Sequence, residues 1–178
     1  FAALMRNVQL LNSSFEILSN LLISQQDLID DIYLLQQKLG KNIINACTDI
    51  TGFGFLGHIK EMIDSSNDER IKTNKKKIKV IIDLSLVRAY PQIFDLINKG
   101  IKSTLFEENK KIYEEIISNH VEEQPIIFLQ QKDLVKGLFS ERIDLLLDPQ
   151  TCGPLLISCD PIYEKYLNKN WYRIGEVF

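Results

Sequence analysis

The stretch Ala46-Cys47-Thr48-Asp49-Ile50-Thr51-Gly52-Phe53-Gly54-Phe55-Leu56-Gly57-His58 constrains the fold more than any other part of the chain. Ahead of it, Lys41 to Asn45 is short and isoleucine-bearing, which predicts a strand. Behind it, Phe55, Ile59, Met62 and Ile63 recur at helical spacing, which predicts a helix over Leu56 to Asp64. The stretch is therefore a turn between a strand and a helix. Gly52 and Gly54 let the backbone turn tightly and approach a ligand closely. The start of the following helix presents unpaired N–H groups and a positive dipole end, which suit phosphate. Asp49 stands where its carboxylate could hold a metal ion beside that phosphate.

The same residues admit other readings. Gly52 to Gly57 fits G-x-G-x-x-G, so a dinucleotide-binding fold competes. Against it, Asp49 would bring negative charge close to a pyrophosphate. The next strand's acidic residue, Asp83, also lies beyond the usual separation of ~20 residues, and helices precede the motif. Asp49 or Thr51 could simply cap the helix. His58 has no second His or Cys at i+4, which reads as a hydrogen-bonded packing histidine. Cys47 reads as a small buried hydrophobe and Cys152 as a turn residue. Neither has a histidine near it in sequence, which leaves nucleophilic catalysis a minor option.

A chain of 178 residues, 45% hydrophobic, is globular and long enough for one domain with its own core, taken over residues 1–178. A net charge of −3 gives no electrostatic case for nucleic acid. Cys47, Cys152 and Cys159 form an odd set without metal-site spacing, which points to a reducing compartment, the cytoplasm. No apolar run is long enough to span a membrane and no signal peptide is visible, so no membrane partner is expected. The chain opens at Phe1, inside a helical pattern, and is read as a fragment or processed piece.

Helices are expected over Ala2–Ile23 and over Asp27–Leu39, the second closed by Gly40. The lysine-rich Ser65–Lys77 reads as a solvated loop. Strands are expected over Ile78–Leu84, Pro125–Gln130, Ile143–Leu147, Leu155–Ser158 and Trp171–Val177. Helices are expected over Pro91–Asn98 and Pro161–Leu167, with Ser103–Gln124 part loop and part helix. Helices first, then strands interleaved with helices, give an α+β class: a mixed β-sheet covered by helices.

The Ala46–His58 motif, followed by Glu61-Met62, resembles the signature of selenophosphate synthetase (selenide, water dikinase). Val80 to Ser85 followed by Gly100 to Leu105, the turn Asp148-Pro149-Gln150-Thr151 and Ile174 to Val177 resemble later segments of that family in the same order. The resemblance runs from Asn45 to the end. It implies the C-terminal domain fold shared with aminoimidazole ribonucleotide synthetase. The implied activity is an ATP-dependent transferase, a kinase making selenophosphate from selenide, ATP and water with release of AMP and phosphate. Its implied partners are Mg²⁺, ATP, selenide, the enzyme's own N-terminal half and a second copy in a homodimer. The family's N-terminal half holds the reactive Cys or selenocysteine and the essential Lys, so no catalytic residue is expected in this chain. By the same resemblance Asp49 is the Mg²⁺ ligand, while Thr51, Gly52 and Gly54 form the ATP phosphate turn. One turn departs from the family's Asp-Pro-Gln-Thr-Ser-Gly-Gly: Cys152 and Pro154 stand where Ser and the second Gly are usual, and Pro154 removes an N–H. Two further readings stay open: another synthetase or kinase of the superfamily, and a non-catalytic binding or dimerisation module.

Overall fold

The computed structural model describes residues 19, 21–118, 127–133 and 138–178. The expected helix Ala2–Ile23 lies outside the described residues except for its last few. Helix α1, Gln26–Leu39, ends on Gly40 in the left-handed conformation, as the sequence pattern predicts. Strand β1 is Ile44–Asp49 and pairs antiparallel with β4, Leu155–Cys159. A second sheet has β2 (Val80–Asp83) at its centre. It runs parallel to β3 (Ile127–Gln130) and antiparallel to β5 (Gly175–Val177). Helices α2 (Gly54–Lys72), α3 (Ile93–Asn98), α4 (Phe106–Ser118) and α5 (Phe139–Leu147) complete the mixed α+β architecture, with a 3₁₀ turn at Pro161–Tyr166.

The core forms where α2, α4 and α5 cover the three-stranded sheet. Leu56, Ile59 and Ile63 of α2 meet Val80 and Ile82 of β2, Phe106 and Ile116 of α4, and Ile143, Leu146 and Leu147 of α5. Each apolar side chain so removed from water stabilises the fold by roughly 1.5–3 kcal/mol.

Three expectations need correction. Ile143–Leu147 is the end of helix α5, not a strand. A five-residue apolar run cannot show its own period, and the deciding residues lie upstream. The Glu141 carboxylate accepts the Leu138 N–H at 2.7 Å, closing the first turn. Arg142, Ile143, Leu146 and Leu147 then share the buried face. Second, β1 is not confined to the residues before the motif: it runs through Cys47-Thr48-Asp49, because the ladder to β4 outweighs the low strand propensity of Asn and Asp. Third, Ser65–Lys72 is not loop but the last two turns of α2. Its polar residues are a solvated helix face, supported by the Lys60–Asp64 pair and by Arg70 and Lys72 at the negative end of the dipole.

The remaining boundaries are trimmed. The helix expected from Pro91 starts at Ile93, after Gln92 in the left-handed conformation, and the last strand is only Gly175–Val177. Within the last turns of α2, Asn67 is buried and pairs through both ends of its amide with the Ile78 main chain, donating to O at 3.2 Å and accepting from N at 2.7 Å. This pairing fixes the return of the chain into β2.

Candidate functional site

The site is built where β1 stops. Burial along β1 alternates, and Asn45, Cys47 and Asp49 share its exposed face. The next residue, Ile50, is buried, and its N–H donates to the Pro154 carbonyl at 3.0 Å. The Thr51 carbonyl then accepts from Gly54 N–H and from Gln150 N–H, each at 3.0 Å. The first bond closes the Thr51–Gly54 turn and the second ties that turn to the Asp148–Thr151 segment. Buried Asn109 of α4 supplies a third tie. Its amide donates to the Gly52 carbonyl at 3.0 Å and to the Leu147 carbonyl at 2.9 Å, joining the turn to the end of α5.

The turn's glycines serve different ends. Gly54 has φ +65°, and an added Cβ would lie 2.8–2.9 Å from the main chain of Leu146 and Leu147. Both conformation and close packing demand glycine there. Gly52 has neither constraint: its φ is not positive, and an added Cβ would meet nothing within 4 Å. The chain's own fold gives no reason for glycine at 52, which leaves open space over that backbone.

Helix α2 begins at Gly54 with Phe53 as its N-cap residue and no side chain accepting from its first turn. Neither Asp49 nor Thr51 is a helix cap. The Asp49 carboxylate is exposed and makes no hydrogen bond or ion pair among the described residues. The Thr51 hydroxyl lies 3.1 Å from His58 Nε2, and His58 Nδ1 lies 3.4 Å from the Glu61 carboxylate. His58 is only 8% exposed and stacks obliquely on Phe53, so it packs as the sequence predicts, but against the turn itself.

The dinucleotide reading fails on topology. Strands β1 and β2 belong to different sheets, so Gly52–Gly57 does not open a parallel βαβ unit. Asp83 is also consumed inside the fold. Burial alone would push its carboxyl up, but hydrogen bonds from the Ser85 hydroxyl and N–H and from the Lys132 N–H hold it below the usual range. Cys47 and Cys159 show no activation. Cys47 is exposed on β1 rather than the small buried hydrophobe expected; what burial its thiol has pushes it up and the neighbouring Asp49 charge adds to that, while Cys159 is raised by burial and then by Glu164 and Asp160. Cys152 is exposed, in the left-handed conformation at φ +67°.

A divalent cation would find one hard oxygen ligand here, the Asp49 carboxylate, beside main-chain donors for a phosphate. Among the described residues no group of three or more His, Cys, Asp or Glu is gathered to hold a metal alone. That donor set fits Mg²⁺, which takes one or two carboxylates and completes its shell with phosphate oxygens and water.

The family described as AIR synthase related protein, C-terminal domain, matches residues 21–178. The chain belongs to that family. Selenide, water dikinase 2 of Peptoclostridium acidaminophilum is 32% identical over 115 residues, covering 65% of this chain and 26% of that protein. Selenide, water dikinase of Caldanaerobacter subterraneus subsp. tengcongensis is 36% identical over the same length and the same shares. The Treponema denticola enzyme of that name is 32% identical over 118 residues, 66% of this chain and 26% of the relative. The matched part thus spans about a quarter of each relative. No helix among the described residues of this AIR synthase related domain is long and apolar enough to cross a membrane.

Sequence reasoning nominates Asp49, Thr51, Gly52 and Gly54, and the structure places Asp49 at the end of β1 and the other three in the turn that follows. It misses Asn109, which carries no local signal: one Asn among the charged residues of α4 looks like solvated surface. Asn109→Ala strips a donor from two carbonyls at once. It is expected to cost about 2 kcal/mol and lower the melting temperature by about 4–8 °C, read by thermal denaturation.

Proposed function

We propose that this domain is the C-terminal part of an ATP-dependent phosphotransferase that makes selenophosphate from selenide, ATP and water, releasing AMP and phosphate. In that assembly the domain supplies the cation side of the Mg-ATP site. Asp49 would hold Mg²⁺ against the nucleotide phosphates. Gly52 and Gly54 would bring the Thr51–Gly54 main chain and the uncapped start of α2 to the phosphate oxygens. Bound Mg²⁺ would neutralise charge on the phosphoryl group being transferred. The observation that carries the reading is the exposed, unpartnered Asp49 carboxylate beside a turn locked from three sides, with open space over Gly52. The names of the curated relatives agree with selenide as the phosphoryl acceptor. The catalytic groups and the remaining metal ligands would come from an N-terminal half, and the whole would act as a homodimer in the cytoplasm.

The test is selenide-dependent conversion of ATP to AMP and phosphate. It is expected from the assembled enzyme and not from the 178-residue chain by itself. ATP consumption that ignores selenide but follows another acceptor would move the domain to a different synthetase of the superfamily. Gly52→Ala sharpens the test. Stability should change by no more than about 0.5 kcal/mol, because the added methyl group meets nothing. Turnover should fall about tenfold, because that methyl group occupies the space assigned to phosphate. Unchanged turnover would show that the ligand lies elsewhere.

A further inference from the structure

We propose that His58 is a positioning residue: it takes up the hydrogen of the Thr51 hydroxyl, so that Thr51 meets the ligand only as an oxygen acceptor. That role suits a metal ion or its bound water and does not suit a bare phosphate oxygen. This inference rests on the function proposed above and deepens it, because it moves the Thr51 side chain from the phosphate to the cation.

The argument runs through the imidazole. A neutral imidazole has one N–H and one bare nitrogen, and the neighbour of each nitrogen decides which is which. The Glu61 carboxylate stands 3.4 Å from Nδ1, one helical turn along α2. Negative charge at that distance favours the proton on Nδ1 over Nε2. Nε2 is then bare and accepts. The group facing it, at 3.1 Å, is the Thr51 hydroxyl, which donates. Packing limits rotation of the ring, so each nitrogen keeps its own neighbour: His58 is buried against Phe53, with ring centroids 5.6 Å apart.

A hydroxyl has one hydrogen and two lone pairs. With the hydrogen given to His58, only lone pairs are left for a ligand. Thr51 lies two residues beyond Asp49, past the end of the same strand. The Asp49 carboxylate and the Thr51 oxygen are therefore both hard acceptors, which is what Mg²⁺ and the hydrogens of its water shell require. The phosphate oxygens are left to donors, the main-chain N–H groups of the turn and of the first turn of α2. The opposite tautomer would reverse this. Nε2–H would donate to Thr51, whose hydrogen would be free for phosphate.

The tautomer is measurable in the chain as it stands. It has only two histidines, His58 and His120, so long-range ¹H–¹⁵N correlation in mildly alkaline buffer resolves each ring. The expected result is the Nδ1–H form at His58, with Glu61→Gln moving the ring toward the Nε2–H form. In the assembled enzyme, Thr51→Val and Glu61→Gln should each raise the Mg²⁺ concentration for half-maximal turnover about tenfold. The apparent ATP affinity at saturating Mg²⁺ should move less than about twofold. Thr51→Ser, which keeps the hydroxyl, should restore the parental Mg²⁺ requirement. An Nε2–H ring in the parent, or a Thr51→Val defect confined to ATP affinity, would overturn the inference and leave the proposed function standing. A parent enzyme whose turnover needs no divalent cation would overturn that function, and with it the cation assignment of Thr51.

Discussion

Asp49→Asn in the assembled enzyme is expected to lower Mg-ATP turnover roughly a hundredfold, equivalent to about 2.7 kcal/mol of lost transition-state stabilisation. Asn keeps the size of the side chain and one oxygen but loses the charge that binds a small divalent cation. The structure separates this outcome from a stability effect. Asp49 is exposed at the end of β1, and Phe53 rather than Asp49 occupies the cap position of α2. The melting temperature should therefore be unmoved, since surface substitutions away from special features stay within about 0.5 kcal/mol. The measurement is turnover across a Mg²⁺ titration, with thermal denaturation beside it. Retained turnover with the parental metal requirement would leave Asp49 a solvated strand end. Added Mg²⁺ should recover part of the loss if the defect is in metal affinity.

The second large effect falls on stability. Gly153 lies so close to β1 that an added Cβ would sit 2.0 Å from the Ile50 carbonyl oxygen and 2.9 Å from its carbon. These are main-chain atoms and cannot swing aside as a side chain does. Gly153→Ala must part the Cys152–Pro154 segment from Ile50 and so strain the bond from Ile50 N–H to the Pro154 carbonyl. The expected cost is about 3 kcal/mol, at the upper end for forcing extra volume into a packed site. In a chain of this length that is a fall of about 6–12 °C in melting temperature. Gly52→Ala is the internal control, because the same added methyl group in the same site meets open space. A Gly153→Ala protein as stable as the parent would mean that the segment repacks freely.

The residues Cys152 and Pro154 bear on the same point. The sequence shows that Pro154 removes an N–H, but not what the segment does instead. Its carbonyl holds Ile50, and Gly153 lets it come close enough to do so. The segment therefore braces the Thr51–Gly54 turn from behind, together with Gln150, whether or not it reaches a ligand.

What the sequence made legible is local. Gly40 and Gly100 adopt the left-handed conformations that helix ends call for. The onset of α2 follows from the spacing of Phe55, Ile59 and Ile63, and the apolar runs around Ile82 and Leu156 are strands. What stayed hidden depends on partners distant in the chain. The division into two sheets is set by which strands meet, and no window around β1 shows that β4 will be its neighbour. Ile143–Leu147 misleads because a strand and one turn and a half of buried helix have the same composition. In the candidate site, Asp49 and the glycines could be nominated from their residue types. The ties that hold them, from Asn109, Gln150 and Pro154, could not, because each joins residues 50–52 to a partner more than 50 positions further along the chain.

Helix α2 makes one rigid body of two places that are far apart in the domain. Its 19 residues span about 28 Å at 1.5 Å per residue. One end is the Thr51–Gly54 turn, and the other is the lysine-rich bend clamped by Asn67 to the Ile78 main chain. A rod of that length works as a lever: pivoting by ~5° about the turn carries the far end ~2.5 Å. An adjustment of the turn that pivoted the helix would be felt at the bend. Conversely, a restraint at the bend would limit such pivoting at the turn.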